Sequence, residues 1–205
     1  MNVFSNLFTI TTANSNIITL ASSTLTALGG AKNGSGTQGA GATINFDDPV
    51  ALTTGTATIT TGATAGDIIF DQTLTGAQAL TLTSGAGSIT FTGIVGATPL
   101  GLVTVNLAAN VTTSAAFSSA GFNQSTSGTG TTQIGGLLTS TAAVLLDAAT
   151  VDLNFGITTT AGGAAGLVTL NASSLVDLAT GRNIATEASQ AANDTTISGA
   201  VDINR

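Results

Sequence analysis

The chain has 205 residues, 42% of them hydrophobic and only 6% charged, with a net charge of −7 and no His, Cys, Trp or Tyr. Its three bases, Lys32, Arg182 and Arg205, are too few and too scattered to neutralise a nucleic-acid backbone or to hold an anionic lipid surface, so neither partner is expected. Without His or Cys there is no histidine base, no Ser-His or Cys-His nucleophile, no zinc site of the usual kind and no disulfide.

The chain carries 40 Thr and 26 Gly, which suit strands and tight turns more than helices. Disordered chains combine low hydrophobicity with high charge. Here charge is low and Ile, Leu, Val and Phe recur at regular places, so order is expected.

Residues 1–28 are apolar and Thr-rich without a clear repeat phase. They begin without Lys or Arg and hold no uninterrupted apolar run, which makes a poor secretory signal. Thr, Asn and Ser break every apolar stretch of the chain, so membrane insertion is not expected. Residues 29–42, "GGAKNGSGTQGAGA", have the composition of a flexible linker. "GSGTQG" (Gly34 to Gly39) matches the dinucleotide-binding spacing, but a strand should precede it and a helix follow it. A Gly-rich stretch precedes and strand-like "ATINF" follows, so the match belongs to the linker.

From residue 43 the chain repeats. "INFDDPV", "IIFDQTL" and "ITFTGIV" align Ile44, Ile68 and Ile89, then Phe46, Phe70 and Phe91, then Val50, Leu74 and Val95. A second motif, "TATITTG", "ALTLTSG", "GLVTVNL", aligns Ile59, Leu82 and Val105, with Thr60, Thr83 and Asn106 beside them. "LVTVN" at Leu102 returns as "LVTLN" at Leu167, about three repeats later. Residues 111–130 are polar and read as a degenerate coil or a loop leaving the stack.

Within each piece apolar residues alternate with Thr, Asp or Asn, which is the period of a half-buried strand. A single unit of this length cannot bury its own inner face, whereas stacked units bury theirs against one another. The expectation is an all-β parallel β-helix (β-solenoid) with coils of about 20–24 residues over residues 43–180. An antiparallel β-sandwich is the alternative. Residues 181–205 form a C-terminal cap segment, in which "RNIATEASQAAND" suits a short helix with Ile184, Ala188 and Ala191 on one face, or a loop.

"ALTLTSGAGSITFTGIVGATPLGLVTVNLAANV" (Ala79 to Val111) and "FNQSTSG" (Phe122 to Gly128) resemble the β-strand repeats of large bacterial surface proteins. Those include filamentous-haemagglutinin-like adhesins and autotransporter passengers. The resemblance covers roughly Ala42 to Ser173. It implies a secreted, surface-attached or filamentous structural role, and it brings no catalytic residues.

Candidate chemistry is sparse. Asp47, Asp48, Asp67, Asp71, Asp147 and Asp152 could supply paired carboxylates for glycosidic-bond cleavage, or Asp47, Asp48 and Asp71 calcium ligands. Most stand at strand–turn junctions, where Asp bonds its own backbone, so no catalytic, cofactor or metal residue is assigned. Outward Thr58/Thr60 and Thr81/Thr83 raise ice binding, against the simpler reading of a solvated strand face. Asn33, Asn110, Asn123, Asn171 and Asn193 head Asn-x-Ser/Thr triplets, which so Thr-rich a chain produces by chance.

An open solenoid ends in unpaired strand edges, and this chain has little charge to blunt them. A homopolymer is therefore expected, with residues 1–28 donated to a neighbouring subunit. The functional expectation is a non-enzymatic structural subunit of an extracellular fibre, sheath or surface layer. The second reading is an adhesin, or a fragment of one, binding glycans or cell surfaces, and the third is a polysaccharide-cleaving β-helix enzyme.

Overall fold

A computed structural model describes residues 2–3, 7–10, 17–21, 23–27, 41–125, 128–160, 166–186 and 201–204. The elements within them are β-strands, and all their pairings are parallel. The strands stack in three columns. The first holds β2 (Leu7–Ile10), β5 (Thr43–Phe46), β8 (Ile68–Phe70), β11 (Ser88–Phe91), β13 (Asn110–Thr113), β15 (Gly128–Ile134), and the later halves of β17 (Val144–Leu153) and β19 (Val168–Leu178). The second holds β3 (Ile18–Ala21), β6 (Val50–Thr54), β9 (Leu74–Thr75), the starts of β12 (Val95–Leu107) and β14 (Phe117–Gln124), then β16 (Leu138–Ser140), β18 (Ile157–Thr159) and β20 (Ile184–Ala185). The third holds β1 (Asn2–Val3), β4 (Thr24–Ala27), β7 (Ala57–Thr60), β10 (Leu80–Thr83), the ends of β12 and β14, the starts of β17 and β19, and β21 (Val201–Asn204). The chain visits the columns in turn, which makes a parallel β-solenoid. The β-sandwich alternative falls, because parallel coil-on-coil pairing joins every column.

The repeat in the sequence is the coil. Ile44 pairs with Ile68, Ile68 with Ile89 and Ile89 with Val111, at spacings of 24, 21 and 22 residues. Phe46, Phe70 and Phe91 lie in register, as do Val50, Leu74 and Val95, and Ile59, Leu82 and Val105. Val103 and Val168 occupy the same column position three coils apart. Asn106 departs from the expected alignment: Thr83 pairs with Leu107 across a bulge.

Three expectations need correction. Residues 1–28 do have a repeat phase: Phe8 pairs with Ile44, Ile18 with Val50 and Leu25 with Ile59. The phase is hidden because 36 residues separate Phe8 from Ile44, and most of the extra length falls after β4. The described strands of this segment form a coil on the chain's own next coil, and donation would have to open those pairings. Gly41 and Ala42, placed in the linker by composition, belong to the stack, and Ala42 is fully buried. Residues 29–40, including "GSGTQG", lie outside the described residues. Of the two readings of residues 111–130, the degenerate coil holds for 111–125: β13 and β14 continue all three columns. At the C-terminus Ile184–Ala185 is a strand paired with Ile157–Thr158 rather than the start of a helix, while Ala188 and Ala191 lie outside the described residues.

The core follows from period two. In β5 Ile44 and Phe46 are buried while Thr43 and Asn45 are half-buried. Phe46, Phe70 and Phe91 stack with ring centroids 4.8 and 5.2 Å apart and planes within 5° and 3°. Those separations are close to the spacing of paired strands, about 4.7–4.9 Å: the rings ride on the ladder. Near-parallel planes also mean that these coils turn little relative to one another. At the corner between the third and first columns, buried hydroxyls close the bend. Thr61 Oγ1 donates to the Gly66 carbonyl (2.7 Å) and Ser84 Oγ to the Gly87 carbonyl (3.0 Å). Gly41, Gly66 and Gly87 stack so closely there that a Cβ on Gly87 would lie inside the Gly66 backbone.

Candidate functional site

Three of the carboxylates singled out by sequence, Asp47, Asp67 and Asp152, hold strands and turns. Asp47 Oδ1 accepts from Asn45 Nδ2 at 2.6 Å. Asp67 Oδ1 accepts from the Ser88 backbone N–H one coil on, at 2.7 Å. Asp152 Oδ2 accepts from Gln133 Nε2 (2.8 Å) and Asn154 Nδ2 (3.2 Å), and the backbone of Asp147 lies in register with that of Asn171. Among the described residues no three acidic groups gather as a metal ion would require, so Asp47, Asp48 and Asp71 do not converge. Asn110 extends the Asp67 pattern. Its Nδ2 donates to Ser88 Oγ (3.2 Å) and its Oδ1 accepts from the Thr131 backbone N–H (2.8 Å).

The Thr ranks lie where expected and extend further. Thr58 pairs with Thr81 and Thr60 with Thr83, while Thr24 and Thr26 add a rank below and Thr104 half a rank above. The triplet "TLT" at Thr24 was the available signal. The rank ends where Thr104 meets Asn123.

The ends of the rod are its most unusual surfaces. The interior columns run outward through the last coil. Val151 leads to Val176, Leu153 to Leu178, Ile157 to Ile184 and Leu170 to Ile203. Leu153, Ile157 and Leu170 are completely buried, yet Leu178 is 39% and Ile203 50% exposed. The cause is position: inward side chains need a coil on each side, and among the described residues β20, β21 and the end of β19 pair on one edge only. At the opposite end β1, β2 and β3 likewise pair on one edge only among the described residues, and Ile17 is 59% exposed. Sequence reading missed these end positions, although "VDL" at Val151 recurs as "VDL" at Val176 and marks the last coil.

On the sides of the rod between its two end coils, the exposed large hydrophobics among the described residues fall into two groups. Ile94, Leu137 and Phe155 precede strands of the second column, and Leu102 precedes the inward Val103 of the third. The Phe155 ring also carries Arg182, whose guanidinium carbon stands 4.5 Å from the ring centroid. Among the described residues no helix is long and apolar enough to cross a membrane. Comparison of the chain with family models, with curated proteins and with solved structures finds no match.

Proposed function

We propose that the protein is a non-enzymatic structural subunit of an extracellular fibre, sheath or surface layer, assembling end to end through its strand edges. One observation carries the reading: among the described residues the inward columns terminate in Leu178 and Ile203, apolar side chains left exposed at an edge that no described strand pairs. Strand polarity supports it. Every strand of a column points the same way, so the last edge of one copy offers the complement of the first edge of another. Head-to-tail contacts of this kind do not close and give open filaments. Charge supports it too: the described strands of the first coil hold none, whereas edges kept from pairing usually carry charge or Pro. The resemblance of Ala79 to Val111 to bacterial surface repeats fits an extracellular setting.

Negative-stain microscopy of the full chain tests the proposal. Filaments are expected for the wild type and rods no longer than one chain for Leu178→Asp, with circular dichroism unchanged because Leu178 is at an end. Single rods from the wild type, or filaments undiminished in Leu178→Asp, would overturn it. Single rods that are retained reproducibly on a glycan array would favour the adhesin reading instead.

A further inference from the structure

We propose that the side of the rod carries a self-complementary pair, a ridge and a groove, by which parallel copies join laterally. The proposal rests on the assembly reading for its setting but on different residues. The ridge consists of outward positions one residue before the second column's buried heads. Ile94, Ala116, Leu137 and Gly156 stand at successive levels. Their carbonyls accept from the N–H groups of Leu74, Val95, Phe117 and Leu138. Ile94 and Leu137 are half exposed, and Phe155 adds its ring beside Gly156.

The groove occupies the matching outward position of the third column. Leu102, Gly121, Ala143 and Leu167 precede the buried Val103, Phe122, Val144 and Val168. Two leucines therefore wall a floor of Gly and Ala, with Leu145 along one side. The space measures about 560 Å³. Leu102 leans over Gly121, where a Cβ would come within 2.9 Å of Leu102 Cδ1. No charged residue lines it.

Three facts select a second copy as the occupant. Away from the two ends, the exposed large hydrophobics of the described residues all belong to the ridge or to the groove wall. Both features span the same four coils, and Leu137 is level with Ala143. The two lie at different corners of the rod, so a row of parallel copies engages ridge to groove without using up either. The ridge from Ile94 to Gly156 and the groove from Leu102 to Leu167 each run three levels, about 14 Å, so their lengths match. Exposed apolar patches of this kind mark association surfaces.

The test uses the full chain, with Leu137→Asp, Ala143→Lys and the double variant. Microscopy and sedimentation velocity are the readouts. Wild-type filaments are expected side by side, as ribbons or sheets. Each single variant should give single filaments of unchanged length, and the double variant, now with opposite charges facing, should regain most of the pairing. Wild-type filaments that are always single, as they would be if the groove served another partner, overturn the proposal. So does lateral pairing that survives both single variants, or a double variant that stays single. Leu178→Asp separates this from the end-to-end reading: rods one chain long should still sediment as side-by-side rows. If the wild type pairs laterally without forming filaments, the lateral contact stands and the end-to-end reading falls.

Discussion

Phe91 and Phe117 meet edge to face, with ring centroids 5.3 Å apart and planes at 83°, although they belong to different strand columns. Through three coils the first column supplies the large ring, and at the fourth Thr113 stands in that place. Phe117 and Phe122, themselves edge to face at 5.4 Å, enter from the other two columns and fill the room. A large ring is thus kept in the interior while the column supplying it changes.

Phe70 is the middle ring, with a stacked neighbour on each side. Phe70→Ala should cost about 3–5 kcal/mol, read as a lowered midpoint in urea unfolding. A loss below about 1 kcal/mol would mean that the site collapses freely and that the stack is not held by the coils around it.

Thr113 is 1% exposed and its Oγ1 has no hydrogen-bond partner. An unsatisfied buried hydroxyl costs about 1–3 kcal/mol. Thr113→Val keeps the shape and removes the hydroxyl, so it should raise stability by about 1 kcal/mol. Calorimetry should show a higher melting temperature.

Gly87 and Gly181 demand glycine for different reasons. At Gly87 the obstacle is the Gly66 backbone one coil away, whereas Gly181 has φ of 76° and nothing near its missing Cβ. Gly181→Ala should cost about 1 kcal/mol, the strain of a left-handed conformation. Gly87→Ala should cost about 3 kcal/mol, because backbone must move. Equal losses in parallel denaturant titrations would contradict the close stacking of that corner.

Asp67→Ala should strand the Ser88 N–H, a part-buried donor, at a cost of about 1–2 kcal/mol. Asp67→Asn keeps an acceptor and should recover most of that. Thermal melts of the two variants make the comparison, and matching losses would assign Asp67 no role in the ladder.

The middle of the fold could be read from sequence because its inward residues are large and evenly spaced. Ile44/Phe46, Ile68/Phe70 and Ile89/Phe91 announce both period and register. The first coil was hidden by a change of spacing, since its 36-residue step breaks any search for units near 22. β13 and β14 were obscured by chemistry: Thr113, Ser119 and Gln124 are polar yet buried, so alternation by hydrophobicity fades where alternation by burial continues. Gln124 shows how that is tolerated, since its Oε1 accepts from the buried Thr132 Oγ1 at 2.8 Å. The apolar ends and the Leu102 groove were not visible at all. Exposure depends on what sits in the adjacent coil, and neither the last level of a stack nor a Gly121 beside a Leu102 stands out in a linear reading.

Because each described coil leans only on the one before and the one after, a duplicated coil would find suitable neighbours wherever it was inserted between coils of like section. Length in such a protein is a quantity that gene duplication can adjust without redesigning any contact. The Phe46–Phe70–Phe91 run, three nearly interchangeable layers, has the form that such copying leaves behind.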